Sequence, residues 1–358
     1  MRMTDKVLQN FNTSAFQNAL IEWYHANKRD LPWRADQDPY KVWVSEIMLQ
    51  QTKVDTVIPY FKQFISKYPT PRDLAYADQQ EVLKTWEGLG YYSRARNLQH
   101  AIQEVVASYD GKVPDDPNEL GSLKGIGPYT KGAILSIAYN QPQPAVDGNV
   151  MRVLSRVLKM DDDIAKTSAR KKFETYAASL ISHDDPSSFN QGMMELGALI
   201  CTPKEPMCMF CPVQDYCRAF QEGVQQALPV KSKQKKQKVV PYTVLLIQND
   251  KGHYVIEKRP ADGLLANMWQ FPMVPTAEIG NDHIEQWFHM EYGIDITKKA
   301  KKGNLKHVFT HLVWQLEIYE ATTASTKVTD ERLKIISGDK LDEYPFPVSH
   351  QKMMKYLR

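Results

Sequence analysis

Cysteine is missing from this 358-residue chain everywhere except one short stretch: all four lie between Cys201 and Cys217. A disulfide framework would spread its cysteines over a small secreted chain, so this confinement excludes one and points to a local metal site. Long apolar runs are lacking as well. The best candidates, 132–139 and 243–247, fall far short of the roughly 20 residues a membrane helix needs. The opening stretch, residues 1–11, is polar and carries no secretory signal core, so a cytoplasmic location is expected and no membrane partner. Charge of one sign is also lacking. The net charge is +3, with 45 basic and 42 acidic side chains, so bulk electrostatics announces no nucleic-acid partner. What is present is ordinary for a folded protein: 42% hydrophobic and 24% charged residues exclude wholesale disorder, and the length suggests two domains.

The texture changes along the chain. Residues 39–51, 54–68, 79–89, 97–109, 130–139, 150–159 and 168–182 carry apolar residues at helical spacing, so residues 1–228 are expected to form a mainly α domain. In 150–159 the apolar stripe is Val150, Val153, Leu154, Val157 and Leu158, with Arg152 and Arg156 expected on the opposite side. Residues 229–240 read as a linker, with five lysines in the octet 231–238. From 241 to 358 the pattern is that of a smaller α+β domain. Residues 242–247 and 253–258 flank the turn cluster Asn249-Asp250-Lys251-Gly252 and predict a hairpin. Residues 282–292 predict a helix, and 305–309 and 313–319 predict further strands.

Three features carry chemistry. Cys201, Cys208, Cys211 and Cys217 have the spacing C-x6-C-x2-C-x5-C, and four thiolates suit either tetrahedral zinc or an iron–sulfur cube. Leu123-Lys124-Gly125-Ile126-Gly127-Pro128-Tyr129-Thr130 stands between two helical stretches. Its glycines permit a sharp turn and Pro128 suits the start of the second helix, so the loop amides can seat one phosphate; helix–GIG–helix is similar to the helix-hairpin-helix pattern, which binds DNA backbone without reading sequence. Two carboxylates stand out by context. Glu46 sits among Val42, Trp43 and Leu49 on a helical run, where desolvation would favour its protonated form and suit a general acid. Asp147 precedes the helix expected over 150–159; Asn149 is the better placed cap there, which leaves Asp147 another task.

Together these residues resemble the endonuclease III superfamily of DNA repair glycosylases, and within it the adenine DNA glycosylases of MutY type. The resemblance rests on Leu31-Pro32-Trp33-Arg34, on Val44 through Thr52, on Gly88 through Leu98, on the Gly125–Gly127 hairpin and on Val146 through Val150. It implies a helix-hairpin-helix glycosylase fold with a [4Fe–4S] cluster on the four cysteines, acting as a monomer on duplex DNA containing adenine opposite 8-oxoguanine. It implies that Glu46 protonates the departing adenine and that Asp147 stabilises the cationic sugar, with Tyr129 and Asn149 in support. Arg29, Leu31, Trp33, Arg34 and Glu195 match an adenine pocket. Gln51, Thr52, Leu89, Tyr91, Gly125, Gly127 and Lys131 match DNA-contacting positions, Gln51 and Tyr91 as wedges in the duplex. Tyr129 stands where strand-cutting relatives carry a Schiff-base lysine, which implies a monofunctional enzyme; Lys131, two residues on, is rotated about 200° away on an ideal helix.

The last third resembles the Nudix fold but lacks the run of glutamates that would bind magnesium, so pyrophosphohydrolase activity is not expected. Phe309-Thr310-His311 matches an element of the family that recognises 8-oxoguanine, with threonine in place of serine but the hydroxyl retained. Two other readings compete: a non-catalytic DNA-binding scaffold, and a nucleotide hydrolase centred on the C-terminal half.

Overall fold

The computed structural model describes residues 7–232 and 237–357. Lys233, Lys235 and Lys236 of the lysine octet lie outside the described residues. The chain forms two compact units: residues 1–75 with 97–233, and residues 76–96 with 234–358.

Helices dominate the N-terminal two thirds. In chain order they are α1 Thr13–Asn27, α2 Pro39–Leu49, α3 Val54–Lys67, α4 Pro71–Tyr76, α5 Gln79–Thr85, α6 Ser93–Ser108, α7 Pro117–Ser122, α8 Pro128–Tyr139, α9 Gly148–Val157, α10 Thr167–Leu180, α11 Pro186–Leu199 and α12 Arg218–Gln221. Three of them start with the same two-residue device. Asp38-Pro39, Asp116-Pro117 and Asp185-Pro186 each place an aspartate at the cap, where it accepts backbone N–H bonds, and a proline whose missing N–H costs nothing. The periodicity reading missed α1 and α11, although Asn12 and Asp185 were available as cap signals. α11 packs on α1, α8 and α9, while α2 packs on α8. A core of Phe16, Leu20, Val153, Leu154, Phe173, Phe189 and Leu196 joins α1, α9, α10 and α11.

Two sequence expectations fail in α9, and the first fails because the helix begins at Gly148, two residues earlier than the apolar stripe suggests. The cap is therefore Asp147 and not Asn149, and Asp147 accepts from the Val150 N–H at 2.7 Å. Arg152 and Arg156 do not face solvent either. Both are buried, because the Cys201 segment and the end of α11 cover that side of the helix. Their guanidinium groups satisfy carbonyls that would otherwise be stranded: Gly197 and Cys201 for Arg152, and Leu228, Thr202 and Pro203 for Arg156.

The second unit is built on a sheet of seven strands: β1 Lys238–Asn249, β2 His253–Lys258, β3 Trp269–Gln270, β4 Met273–Val274, β5 Thr297–Val308, β6 Leu312–Thr323 and β7 Leu333–Ser337. The main order is β3-β2-β1-β6-β5, with β4 on β1 and β7 on β2. β1 runs parallel to β6 and begins at Lys238, inside the stretch expected to be linker. The β1–β2 hairpin forms as expected, its turn closed by the Asn249 side chain, which accepts from the N–H groups of Lys251 and His253. One face of the sheet buries Trp269, Phe271, Trp314 and Phe346. The other is covered by α14 Ile284–Tyr292, which follows the short α13 Thr276–Ile279. Residues 76–96 join this unit through specific bonds. Gln80 donates to the Asn267 carbonyl and accepts from the Trp269 indole, Asn267 donates to Gln79, and Arg96 donates to the Ala266 carbonyl. β5 is an edge strand bearing Lys298, Lys299, Lys301, Lys302 and Lys306, charges that discourage further strand pairing.

Candidate active site

α2 is covered almost all round, with every residue from Tyr40 to Met48 buried except Lys41. A glutamate in such a helix is largely withdrawn from water, and Glu46 is 5% exposed. Burial is the largest influence on its carboxyl. The Tyr129 hydroxyl donates to its Oε2 and opposes that effect, nearby Asp147 adds to it, and the net result is a carboxyl pushed up to about 7. Tyr129 reaches Glu46 from the first turn of α8, placed there by the Gly125–Gly127 hairpin and Pro128. Its own hydroxyl is held well above the usual tyrosine range by the same burial, so it serves as a donor and not as an anion.

Asp147 closes the arrangement from the start of α9. Burial raises its carboxyl, while the Val150 N–H and the Asn149 amide, the latter at 3.0 Å, pull the other way. Asn149 is thus a supporter of Asp147; its side-chain Oδ1 accepts from Arg152 Nη2 at 2.8 Å. Gly197 lets α11 lie against it, since a Cβ on that glycine would stand 2.7 Å from the Asn149 Cβ.

These groups line a cleft of about 800 Å³. Arg29, Leu31, Trp33, Arg34 and Glu195 line it as well. Glu195 is 1% exposed and accepts from Arg29 Nε at 2.8 Å, Arg29 Nη2 at 3.0 Å and Arg34 Nη2 at 3.0 Å. Burial alone would raise the Glu195 carboxyl; the two guanidinium groups outweigh it and hold it at about 2. Trp33 is fixed by an edge contact to Phe61. The cleft can therefore enclose a flat heteroaromatic ring between apolar walls, an arginine–carboxylate cluster and a protonated acid.

Gln51, Thr52, Gly125 and Gly127 also line the cleft. Gln51 follows the end of α2 in a left-handed conformation, φ 59, and is exposed. Gly125 adopts φ 83, which the tight turn requires. Lys131 does not face the cleft; its stem lies over Gly121, away from Tyr129. In the second unit Tyr91 is exposed and left-handed at φ 48, whereas Leu89 is buried. The Tyr91 hydroxyl lies 3.3 Å from the Thr310 hydroxyl, at the tip of the β5–β6 hairpin. Phe309 there packs on His307 and Trp314, and Thr310 and His311 are exposed.

All four cysteines border one small cavity with Val153, Arg156 and Leu196. Burial pushes the Cys211 thiol up to about 12 and that of Cys217 to about 11, so bare thiolates are not tolerated and a bound cation is what would make them so. Arg156 adds a hydrogen bond, Nη1 to Cys201 Sγ at 3.2 Å. Among the described residues no three His, Cys, Asp or Glu side chains stand close enough to hold one metal ion.

Several residues here were invisible to sequence reasoning. Gln191 accepts from Arg34, and Thr167, Arg170 and Lys171 line the cleft wall. All sit on ordinary amphipathic helices, so no local pattern marks them.

Comparison with known proteins gives two matching families: HhH-GPD superfamily base excision DNA repair protein over residues 44–178, and NUDIX domain over residues 243–356. Adenine DNA glycosylase of Rattus norvegicus is 36% identical, across 90% of this chain and 74% of that one. The Homo sapiens protein of the same name is 34% identical, across 88% and 68%. That of Buchnera aphidicola subsp. Schizaphis graminum is 37% identical, across 83% and 84%. Among solved structures, a thermostable thymine-DNA glycosylase aligns with TM-score 0.52 and 26% identity, over 62% of this chain and all of that one. A trapped endonuclease III–DNA covalent intermediate aligns with TM-score 0.50 and 23% identity, over 62% and 99%, a likeness of fold.

Proposed function

This chain belongs to the adenine DNA glycosylases of the HhH-GPD superfamily, and from that premise we propose that it excises adenine standing opposite 8-oxoguanine in duplex DNA, by acid-assisted departure of the base. A base inside the stack is out of reach of any side chain, so the adenosine must first be extruded into the cleft. Adenine is a poor leaving group as an anion. Glu46, protonated near neutral pH, delivers a proton to a ring nitrogen as the glycosidic bond lengthens. The sugar is left with oxocarbenium character, and the Asp147 carboxylate stabilises that positive charge. Deprotonated Glu46 is then placed to activate the attacking water. The observation that carries this reading is the pairing itself: an acid with its carboxyl raised to about 7 and a second carboxylate from another element, both on the wall of one cleft.

Arg29, Arg34 and Glu195 orient the purine, with Leu31 and Trp33 forming apolar walls. Gln51 and Tyr91, both exposed and left-handed, suit wedges in the duplex, while the Gly125–Gly127 amides receive a phosphate. Thr310, beside Tyr91, offers a hydroxyl that discriminates 8-oxoguanine from guanine on the opposite strand. Cys201, Cys208, Cys211 and Cys217 would hold a [4Fe–4S] cluster, which supplies structural cross-linking of the loop between α11 and α12. Tyrosine at 129 has no amine to form an imine with the sugar, so the strand stays intact.

A glycosylase assay on duplexes with adenine opposite 8-oxoguanine, guanine or thymine, with and without alkali, tests the whole reading. Adenine release fastest opposite 8-oxoguanine, with strand breaks only after alkali, is expected. Breaks without alkali contradict the monofunctional assignment, and equal rates opposite all three contradict the role of Thr310.

A further inference from the structure

The segment between α8 and α9 has no regular structure, yet it must hold Asp147 steady while the cleft admits a nucleotide. Its anchors come from three different helices. Against α8, the Pro144 carbonyl lies so close to Gly132 that a Cβ there would be 2.0 Å away. From α11, buried Asn190 accepts from the Ala145 N–H at 3.3 Å and donates to Ser136 Oγ and the Gln143 carbonyl, both at 2.8 Å. From α10, Arg170 Nη2 donates to the Val146 carbonyl at 3.0 Å. That carbonyl belongs to the peptide unit that carries the Asp147 nitrogen, so whatever holds it sets the Asp147 backbone directly. Ala145 and Val146 are each 1% exposed, whereas the Arg170 side chain is 42% exposed and lines the cleft. It is the one of these anchors that a substitution can remove without opening the core.

We propose that Arg170 is a positioning residue for Asp147, acting through its hydrogen bond to the Val146 carbonyl. This inference rests on the assignment of Asp147 as the group that stabilises the cationic sugar. The partner of Arg170 on its own helix, Glu174 at 3.3 Å, is a half-exposed pair one turn on, and such pairs contribute little by themselves. Its bond to the buried loop is the contact with a consequence. A cation on the cleft wall could alternatively serve a DNA phosphate, and the two roles separate in kinetics. Positioning lowers the rate of the chemical step, because small misplacements of a reacting group are costly. Phosphate binding lowers duplex affinity and its salt dependence.

The pH profile adds a readout that neither phosphate binding nor general destabilisation would move. Asp147, Tyr129 and Arg34 are the charged or titratable groups acting on Glu46, and Asp147 is the one among them that raises its carboxyl. Displacing Asp147 moves the alkaline limb of activity to lower pH.

The test compares Arg170→Met, Arg170→Lys and Asp147→Asn by single-turnover adenine release, duplex affinity and pH dependence. Arg170→Met is expected to slow release by about tenfold or more, with affinity nearly unchanged and the alkaline limb shifted down. Arg170→Lys, which keeps a donor, is expected to recover most of the rate. A loss confined to duplex affinity, an unchanged rate, or an unmoved limb in Arg170→Met overturns the proposal. Asp147→Asn at the wild-type rate would remove the assignment beneath it. Inactive Asp147→Asn with unaffected Arg170→Met would reject the positioning role alone.

Discussion

The Tyr129 hydroxyl donates to the Glu46 carboxylate on the wall of the cleft, where burial acts on both groups. The bond favours the ionised acid, while burial favours the neutral one, and burial is the larger influence. Removing the hydroxyl therefore raises the Glu46 carboxyl further. Tyr129→Phe should shift the alkaline limb of adenine release above its wild-type position near pH 7 while lowering the maximal rate, because Glu46 loses its orienting partner. A pH–rate profile under single-turnover conditions checks it; a limb displaced downward contradicts the account.

Glu46 also makes the fold pay for its chemistry. A carboxyl raised on folding stabilises the protein below its unfolded value near 4.5, and that contribution disappears as pH climbs through about 7. Glu46→Gln, neutral at every pH, should release no adenine yet bind duplex normally. It should also be more stable than wild type at pH 8, by on the order of 2 kcal/mol. Thermal unfolding at pH 5 and pH 8 measures this: the gap between the two proteins should open only at the higher pH.

Glu195 obeys the opposite sign. Its carboxyl, held at about 2, contributes stability above the unfolded value near 4.5, and loses it as pH falls towards 2. Glu195→Gln leaves Arg29 and Arg34, whose side chains are 33% and 16% exposed, without their anion. A loss of about 3 kcal/mol is expected from breaking such a pair. Urea unfolding at pH 7 gives the magnitude, and a flattened acid dependence between pH 4.5 and 2 identifies the group.

Gly132 sits in mid-helix, where alanine ordinarily stabilises. Here the Pro144 carbonyl occupies the space a Cβ would take, so Gly132→Ala should reverse the usual sign and destabilise by about 2 kcal/mol or more. Activity should fall with it, since the displaced backbone leads to Asp147. A stabilised and fully active variant would show that the loop yields more readily than its anchors suggest.

The cysteine set makes a spectroscopic prediction. Purified protein should be yellow-brown and hold about four irons per chain if a [4Fe–4S] cube is bound. Cys211→Ser should bleach it and lower its melting temperature. A colourless protein with one zinc per chain would overturn the cluster.

Much of this was legible in one dimension because it is local. The thiol spacing, the Gly125–Gly127 turn and the period of the helices each follow from a few adjacent residues. Glu46 drew notice because its neighbours at helical spacing are apolar, and burial acts on a helix face as a whole. Apolar periodicity marks where a helix touches the core rather than where its backbone begins, so it starts α9 at Val150 and puts the cap on Asn149, whereas the helix starts at Gly148 with Asp147 as its cap.

The sequence by itself determined the chemical vocabulary: two carboxylates, four soft sulfurs, a phosphate-sized turn, and a C-terminal third without the glutamates of a magnesium hydrolase. Tertiary structure alone decided how those groups behave. Arg152 and Arg156 look like solvent-facing charges until the Cys201 segment folds over them, and Arg170 looks like half of a surface pair until the Val146 carbonyl arrives 24 residues away in sequence. Proton affinity depends on which groups remain in contact with water, and water is excluded by segments that are distant along the chain.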